Sequence, residues 1–462
     1  MDPYDNYQSP FSWRYASDAM RSNWSENNKR RLWRRIWVAL AKIQSEFGLV
    51  AQDQVLELQA HAGEIDVEAA LRIEAEIHHD LMAELKTFAA QCPHSGGVLH
   101  MGATSMDIED NADALRLRSA LDLVLATLRD VLLALAERMQ ETAALPIMAF
   151  THIQPAEPST MGYRFAMYAQ DLMEDFQNIL KVRTMIRGKG FKGAVGTAAA
   201  YVDLIGIENV ELFESRLSQE LDLPFYEVST QTYTRKQDYD ILSALAGMGA
   251  SLHKFAFDLR LLQTPPIGEI SEPFGKKQVG SSAMPFKRNP INAEKIDSLA
   301  RQLSMYPQVA WQNAANSLLE RTLDDSANRR TILPEAFLIC DELLRVALRL
   351  VKNLNIRTEA IQHNLEIYAP FACTERVMMA VSKKGADRQE MHELLREHAL
   401  TAWQVVQSGG VNPLVQYLQV DETILKWISA EEIMQLSKVS AYTGIAEQRT
   451  RLLAARIRQM LG

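Results

Sequence analysis

The residue types best suited to chemistry lie close together in the segment 280–290. Two adjacent hydroxyls, Ser281 and Ser282, precede the amine of Lys287 and the side-chain amide of Asn289. Polar groups of these kinds can bind an anion and stabilise developing negative charge. The alternative is an ordinary surface loop, in which Asn289 caps a helix that starts at the following proline. Spacing alone leaves both interpretations open.

The stretch from Thr264 to Pro290 is expected to be irregular and able to move. Prolines and glycines recur in it, at Pro265, Pro266, Gly268, Pro273 and Gly275. Because proline lacks a backbone donor and restricts the residue before it, no single helix or strand fits this stretch. We therefore regard residues 264–290 as a candidate lid that closes over an anion.

Three segments resemble the signatures of the fumarase/aspartase superfamily. Residues 280–290, Gly-Ser-Ser-Ala-Met-Pro-Phe-Lys-Arg-Asn-Pro, match its GSSxMPxKxNP pattern. Residues 100–107 match its HxGxTSxD pattern, and residues 151–156 match its THxQPA pattern. Members of this superfamily cleave a C–N or C–O bond and release fumarate. The resemblance covers essentially the whole chain.

Other segments resemble one branch, the adenylosuccinate lyase family. Residues 9–15 are similar to its SPxxxRY segment, residues 231–236 to its QTYxRK segment, and residues 320–330 to its ERTLDDSANRR segment. The resemblance implies an anti elimination that cleaves adenylosuccinate to AMP and fumarate. It implies the same cleavage of the succinylated carboxamide ribotide SAICAR to AICAR and fumarate.

The resemblance also implies catalytic roles. Ser281 would be the general base and His152 the general acid, while Lys287 and Asn289 would stabilise a carboxylate dianion. The residue types alone favour His152 as the base, because a free serine hydroxyl is roughly six pH units too weak. Forming the Ser281 alkoxide would take about 8 kcal/mol of stabilisation from Lys287, local backbone donors and desolvation.

Further site residues follow from the same resemblance. Glu294 would pair with the catalytic histidine, although an acid in a first helical turn is also favoured by the helix dipole. His79 would lie near the reacting group. The substrate-binding positions implied are Arg14, Tyr15, His78, Asp80, Thr104, Ser105, Gln231, Asn289, Lys295, Arg321, Ser326, Arg330 and Arg388. Arginines are suited to phosphate, but each could also be a solvated helix charge, and His78 and Lys295 stand where many relatives carry arginine.

Helical periodicity dominates the rest of the chain. Apolar residues recur at steps of three and four in three long stripes: Leu117, Leu121, Val124, Leu128, Val131 and Leu135; Phe165, Tyr168, Leu172, Phe176 and Ile179; and Ile241, Leu245, Met248, Leu252, Phe255, Leu259 and Leu262. Such stripes are typical of a helical bundle. We expect an all-α protein with three helical domains, at residues 1–104, 105–356 and 357–462, the second holding the long-helix bundle and the mobile loop.

Two more long helices are expected after the loop. One begins at Pro290 and passes Pro307 with a kink. The other begins after Asp325-Ser326, either of which could cap it, and passes Pro334. Surplus apolar residues off the stripes, such as Leu123, favour partner helices from other subunits. The resemblance implies a homotetramer whose multi-helix core is shared and whose active sites draw residues from three subunits.

Several other functions are disfavoured. The segment 188–193 satisfies GxGxxG, but the residues before it have a helical pattern, so a nucleotide-binding turn is not expected. The formal charge of −9 and the pI near 5.7 argue against nucleic acid as a partner. No apolar stretch is long enough to span a membrane and no secretory signal is visible.

The cysteines and histidines point to no metal. Three cysteines, Cys92, Cys340 and Cys373, are far apart and fit neither a disulfide framework nor a metal site. We expect a cytoplasmic enzyme without a cofactor. Two alternatives stay open: another fumarate-releasing lyase such as argininosuccinate lyase, and a non-catalytic helical scaffold. The joint presence of Ser281, Lys287, Asn289 and His152 argues against the scaffold.

Overall fold

Helices make up most of the protein. The computed structural model describes residues 5–275, 277–439 and 442–462. In chain order the first helices are α1 (Asp18–Asn23), α2 (Glu26–Glu46), α3 (Gln52–His61), α4 (Val67–Ile77), α5 (Asp80–Gln91), α6 (Ser105–Thr142), α7 (Met161–Met185), α8 (Ala199–Ile205), α9 (Val210–Leu221) and α10 (Lys236–Leu262). The remaining helices are α11 (Ile291–Leu303), α12 (Tyr306–Ala315), α13 (Ser326–Asn353), α14 (Thr358–Lys383), α15 (Arg388–Gln407), α16 (Leu414–Val420), α17 (Glu422–Leu425), α18 (Ala430–Leu436) and α19 (Ala446–Leu461).

Strands are short and few in the described part of the chain. β1 (Pro146–Thr151) and β2 (Gln154–Thr160) form an antiparallel hairpin, and β3 (Ile270–Ser271) pairs with β4 (Asn355–Ile356). The all-α class predicted from the sequence is therefore confirmed.

The chain divides into two compact units. The first comprises residues 1–128, 175–250 and 299–345, and the second comprises residues 129–174, 251–298 and 346–462. The unit boundaries fall inside long helices such as α6, α10 and α13. The three consecutive domains proposed from the sequence are a different division of the chain, and they stay a prediction.

The apolar stripes are buried as their spacing predicts. On α6, Leu117, Leu121, Val124 and Leu128 are fully buried. Burial of a leucine or valine side chain contributes roughly 1.5–3 kcal/mol, so a stripe of this length is a major source of stability. Leu132, which lies off the stripe, is buried as well, because α6 packs on more than one side within the single chain.

The helix expected to run past Pro307 is interrupted instead. α11 ends at Leu303, and α12 begins at Tyr306 with Pro307 in its first turn. In a continuous helix, the Pro307 ring would clash with the carbonyl of Leu303, four residues earlier. In the first turn of a helix, proline causes no such clash and no hydrogen bond is lost. The predicted single kinked helix was wrong. Pro334, in contrast, lies inside α13, as predicted.

The β1–β2 hairpin turns through two residues with left-handed backbone. His152 has φ 52° and Ile153 has φ 61°, between the paired residues Thr151 and Gln154. A two-residue turn of this kind usually contains asparagine and glycine, because a β-branched residue such as isoleucine is strained at positive φ. Backbone strain of this kind is concentrated at functional sites. The hairpin tip thus carries the motif histidine on an unusual turn.

The GxGxxG segment is a helix connection, as predicted. It follows the end of α7, and Gly188 makes only an isolated bridge to Phe225. A side chain at Gly188 would collide with the Asn111 amide oxygen, which accepts a hydrogen bond from the Gly190 N–H at 3.1 Å. The glycines therefore permit close packing against α6.

The three cysteines are buried free thiols. Burial raises the pKa of Cys92 to about 11 and that of Cys373 to about 12, so both stay protonated at neutral pH. Across the described residues, no helix has the length and apolar character needed to cross a bilayer.

Candidate active site

The residues predicted for the site fall into two groups, one in each unit. The first unit holds Arg14, Tyr15, His78, His79, Asp80, Thr104, Ser105, Gln231, Arg321, Ser326 and Arg330. The second holds His152, Ser281, Lys287, Asn289, Glu294, Lys295 and Arg388.

In the second unit, the hydroxyl of Ser281 is surrounded by backbone donors. Its Oγ accepts hydrogen bonds from the N–H of Ala283 at 3.3 Å and from the N–H of Met284 at 3.1 Å. Donors directed at an oxygen favour its ionised form and so lower its pKa. The local backbone therefore supplies part of the stabilisation that a serine base requires.

The close approach of the two arms of this loop requires a glycine at position 280. A side chain at this position would collide with the backbone carbonyl of Lys287. The Asn289 amide donates to the Gly280 carbonyl at 3.0 Å, which ties the start of the motif to its end. Asn289 thus has a structural role here, and its predicted contact to the substrate stays a prediction. The Lys287 side chain is exposed.

The two ends of the candidate lid, residues 264–290, are anchored. Gln263, just after α10, accepts from the Glu272 N–H at 2.9 Å and donates to the Arg288 carbonyl at 2.9 Å. The buried Glu272 carboxylate accepts from the Asn292 N–H at 3.2 Å and from the Ala293 N–H at 2.6 Å, which caps the start of α11. The centre of the loop is exposed while its ends are held, as a lid requires.

Sequence reasoning missed both Gln263 and Glu272. A helix cap is recognised when it directly precedes the helix, and Glu272 lies 20 residues before its partner Asn292. No local pattern identifies such a long-range cap.

His152 and Glu294 make no contact with each other in the described part of the chain. His152 lies exposed on the hairpin turn, and Glu294 lies exposed in the first turn of α11. Neither side chain forms a hydrogen bond among the described residues. Their pairing, implied by the resemblance, stays a prediction.

In the first unit, Asp107 shapes the turn that carries Thr104 and Ser105. Its buried carboxylate accepts from the Thr104 N–H at 3.0 Å and from the N–H groups of Lys192 and Gly193, each at 3.2 Å. The Lys189 ammonium forms a buried ion pair with the same carboxylate. The GxGxxG segment therefore supports the start of α6 rather than binding a nucleotide.

His79 and Ser105 meet at the ends of two helices. His79 is the N-cap of α5, and its Nδ1 accepts from the Met82 N–H at 3.5 Å. Its Nε2 lies 3.5 Å from Ser105 Oγ. The structure thus brings together two residues that the sequence placed in one site from motifs 26 positions apart.

Further predicted residues line a polar cavity of about 160 Å³. Asp80, Arg321, Ser326 and Arg330 line it. Arg330 Nη2 lies 2.9 Å from an Asp80 carboxylate oxygen, and Arg321 Nη1 donates to Asp325 at 2.9 Å. Two of the guanidinium groups on the cavity wall, those of Arg321 and Arg330, are therefore each held by a carboxylate.

Arg235 is a buried residue that holds the carboxylates behind this wall in place. It is almost fully buried and donates to Asp325 at 2.5 Å and to Asp110 at 3.0 Å. Burial alone would raise the pKa of Asp325, but Arg235, Arg329 and Arg321 hold it below its usual range. Asp325 thus stays ionised and orients Arg321. Sequence reasoning had grouped Arg235 with a motif without giving it this role.

Gln231 contacts the same region through its backbone N–H group. Its N–H donates to the Glu320 carbonyl at 3.2 Å, which joins the QTYxRK segment to the ERTLDDSANRR segment.

The segment that carries Arg14 and Tyr15 is held against α13. The Ala16 N–H donates to the Glu342 carboxylate at 3.1 Å, and the Ser17 hydroxyl donates to Asp341 at 3.1 Å. Arg14 itself is exposed, 5.7 Å from the centre of the Trp13 ring.

The last three predicted residues stand at helix ends or on a helix face. His78 is the left-handed C-cap residue of α4, with φ 55°. Arg388 is the exposed first residue of α15, where Asp387 is the cap. Lys295 is partly buried on α11. Their contacts to substrate stay predictions. In the described ranges, no cluster of three or more histidine, cysteine or acidic side chains could hold a metal ion.

Comparison with known proteins identifies the family. A profile described as Lyase matches residues 12–304, and one described as Adenylosuccinate lyase C-terminus matches residues 370–451. The chain is 39% identical to the adenylosuccinate lyase of Saccharomyces cerevisiae, over 97% of this chain and 94% of that protein. The chain belongs to the adenylosuccinate lyase family. The family assignment made from the motifs is thereby confirmed.

Two further comparisons agree with this family. The adenylosuccinate lyase of Schizosaccharomyces pombe is 36% identical, over 97% of this chain and 94% of that protein. The structure of the 3-carboxy-cis,cis-muconate lactonizing enzyme from Pseudomonas putida superposes with a TM-score of 0.86, at 23% identity over 99% of this chain and 100% of that one. At 23% identity, the resemblance to the lactonizing enzyme shows only that the two proteins share a fold.

Proposed function

We propose that this chain is an adenylosuccinate lyase that releases fumarate from adenylosuccinate and from SAICAR. The observation that carries the proposal is the Ser281 hydroxyl, held by two backbone donors in a lid whose ends are anchored. This arrangement suits a serine base, and the family assignment supplies the substrate class.

The elimination moves one proton at each end of the substrate. Ser281 Oγ takes a proton from the carbon beside a carboxylate, and the electrons of that C–H bond form the new double bond of fumarate. The electrons of the C–N bond leave with the nitrogen, which receives a proton from the His152 imidazolium. The products are fumarate and the nucleotide amine.

Two hydrogen bonds provide a large part of the stabilisation that the Ser281 alkoxide requires. A hydrogen bond to a charged group contributes about 1.5–3 kcal/mol, so the donors of Ala283 and Met284 supply about 3–6 kcal/mol of the 8 or so needed. The Lys287 ammonium and exclusion of water under the closed lid supply the rest.

The cavity of the first unit suits the phosphate of the nucleotide. Arg321 and Arg330 offer planar guanidinium groups that bind phosphate through paired hydrogen bonds, and Ser326 adds a hydroxyl. Thr104, Ser105 and His79 then hold the succinyl end.

The complete site is assembled from several subunits of a homotetramer. Large apolar side chains remain exposed on the helices of the single chain, among them Met185 on α7, Phe257 on α10 and Trp311 on α12. Exposed apolar residues on bundle helices favour burial against further copies of the chain. Three subunits contribute to each site in this proposal. The buried free thiols favour a reducing, cytoplasmic location.

Fumarate release, followed by ultraviolet absorbance, tests the reaction. Adenylosuccinate and SAICAR are offered as substrates, and argininosuccinate as the competing one. We expect turnover of the first two only, with losses of at least about 10³-fold in Ser281→Ala and His152→Ala. Ser282→Ala, which alters the neighbouring hydroxyl, serves as the matched control. Equal turnover by Ser281→Ala and wild type would refute the assignment of the base.

A further inference from the structure

Arg164, near the start of α7, joins the hairpin that carries His152 to the base of the candidate lid. Its Nη2 donates to the Met148 carbonyl of β1 at 2.8 Å, and its Nη1 donates to the Glu269 carboxylate at 2.6 Å. All of these residues belong to the second unit, as does Ser281. One buried guanidinium therefore contacts both of the elements that carry the proposed acid and base.

Asn364, on α14, completes this buried polar cluster. Its amide donates to the Glu269 carboxylate at 3.1 Å and to the Ile267 carbonyl at 2.9 Å. The Arg357 N–H donates to the Glu269 carbonyl at 2.9 Å. Glu269 has no exposed surface, while Arg164 is 8% exposed and Asn364 is 3% exposed. The base of the lid is thus tied to α7 and α14 by hydrogen bonds that are shielded from water.

Apolar packing does not fill the space between the hairpin and the base of the lid. A cavity of about 400 Å³ lies there. Its wall includes Phe150 and Ile153 of the hairpin, Leu262 at the end of α10 and Ile267 of the lid base, together with Arg164. Because side chains do not interlock across a cavity, the hydrogen bonds of Arg164 set how the hairpin and the lid base lie relative to each other.

A buried ion pair is a poor source of stability, but it restricts geometry. The cost of taking two charges out of water offsets much of their attraction, so apolar side chains of similar size often give an equally stable protein. The guanidinium is planar, and its nitrogens point in fixed directions, here to a carboxylate and to a carbonyl. The contribution specific to the Arg164–Glu269 pair is therefore orientation.

We propose that Arg164, through its ion pair with Glu269, is a positioning residue that holds the His152 hairpin and the base of the Ser281 lid in their catalytic orientation. It acts through the Met148 carbonyl and the Glu269 carboxylate rather than on the substrate. The inference rests on the proposed function, because it takes His152 as the acid and Ser281 as the base. Displacement of a reacting group by about 1 Å lowers the rate by about 10²-fold, so loss of this bridge should lower kcat.

The test removes the bridge while the fold is kept. A double variant, Arg164→Met with Glu269→Met, removes both charges together, so no buried charge is left unpaired. Arg164→Lys is the second variant: its ammonium keeps the charge beside Glu269 but lacks the planar fork that also reaches the Met148 carbonyl. Lys254→Met is the matched control, because Lys254 lines the same cavity and pairs with Asp258 on its own helix.

Three properties are measured for each protein: kcat and KM for fumarate release from adenylosuccinate, the thermal unfolding midpoint, and backbone hydrogen exchange in residues 146–160 and 267–272. We expect the double variant to unfold within about 5 °C of wild type. Its kcat should fall about 10- to 100-fold. Its KM should stay within about threefold, because the phosphate cavity lies in the first unit and is unaltered. Exchange in both segments should be at least about tenfold faster.

The other variants separate orientation from charge. Arg164→Lys should keep the unfolding midpoint and lose about three- to tenfold in kcat, and Lys254→Met should match wild type in every property. Wild-type kcat in the double variant or in Arg164→Lys overturns the inference, because the pair would then contribute stability alone. If the double variant does not fold, Arg164→Lys decides. Failure of the proposed function is a different result: wild type releases no fumarate, even where exchange in the two segments is faster in the double variant.

Discussion

Lys287 provides a sharp test of how a serine becomes a base. The Ser281 hydroxyl receives hydrogen bonds from the backbone N–H groups of Ala283 and Met284. These contribute about 3–6 kcal/mol, while about 8 kcal/mol is needed to hold the alkoxide at neutral pH. If Ser281 is the base, the remaining 2–5 kcal/mol or so must come from Lys287 and from exclusion of water.

Replacing Lys287 with methionine removes the charge and keeps most of the side-chain volume. Since 1.4 kcal/mol corresponds to about tenfold in rate, we expect kcat to fall about 10²- to 10³-fold. The neighbouring Arg288→Met is the matched control, because the Arg288 guanidinium lies 5.2 Å from the centre of the Phe274 ring and is engaged within the loop. It should change kcat by no more than about threefold.

The assay is fumarate release at saturating adenylosuccinate, with thermal unfolding of each variant to verify that it folds. A loss of less than tenfold in Lys287→Met would show that the backbone donors suffice without the ammonium. An equal loss in both variants would show that any cation in the loop serves, which contradicts a specific role for Lys287.

Two further predictions concern the residues that hold the site in place. Arg235→Met leaves the carboxylates of Asp110 and Asp325 buried without their cation, so we expect the free energy of unfolding in urea to fall by about 3–5 kcal/mol and KM to rise as Arg321 loses its orientation. Lys236→Met, at the adjacent and exposed position, should lower the free energy of unfolding by less than about 0.5 kcal/mol. If both variants lost the same free energy of unfolding, a stabilising buried network around Arg235 would be contradicted. Glu272→Gln removes the charge that caps α11, so we expect a loss of about 1–2 kcal/mol and a lower kcat, because the lid loses an anchor. A stable Glu272→Gln with wild-type kcat would show that the cap does not control the lid.

The helical architecture could be predicted because it is periodic. The stripes of α6 and α10 repeat every three to four residues, and that repeat is visible in any window of the sequence. The break before Pro307 was missed because proline is compatible with both a kink and a new first turn. Only packing decides between the two.

The motifs identified the candidate reactive residues but not the groups that hold them. Arg235 reaches Asp110 across 125 positions of the chain, and Asp107 reaches Lys189 across 82. Contacts of this range leave no local pattern. The turn at His152 and Ile153 was missed for another reason, since neither residue is the asparagine or glycine that such turns favour.

The proposed assembly, in which three copies of the chain contribute to each active site, is tested most directly by asking whether Ser281 and His152 come from different copies. Inactive Ser281→Ala and inactive His152→Ala are unfolded together, refolded as mixed tetramers and assayed with adenylosuccinate. Random assembly gives each site an intact serine and an intact histidine about a quarter of the time, so activity should return to about 25% of wild type. Mixtures that stay as inactive as their parents would place both residues in the same subunit and contradict the account.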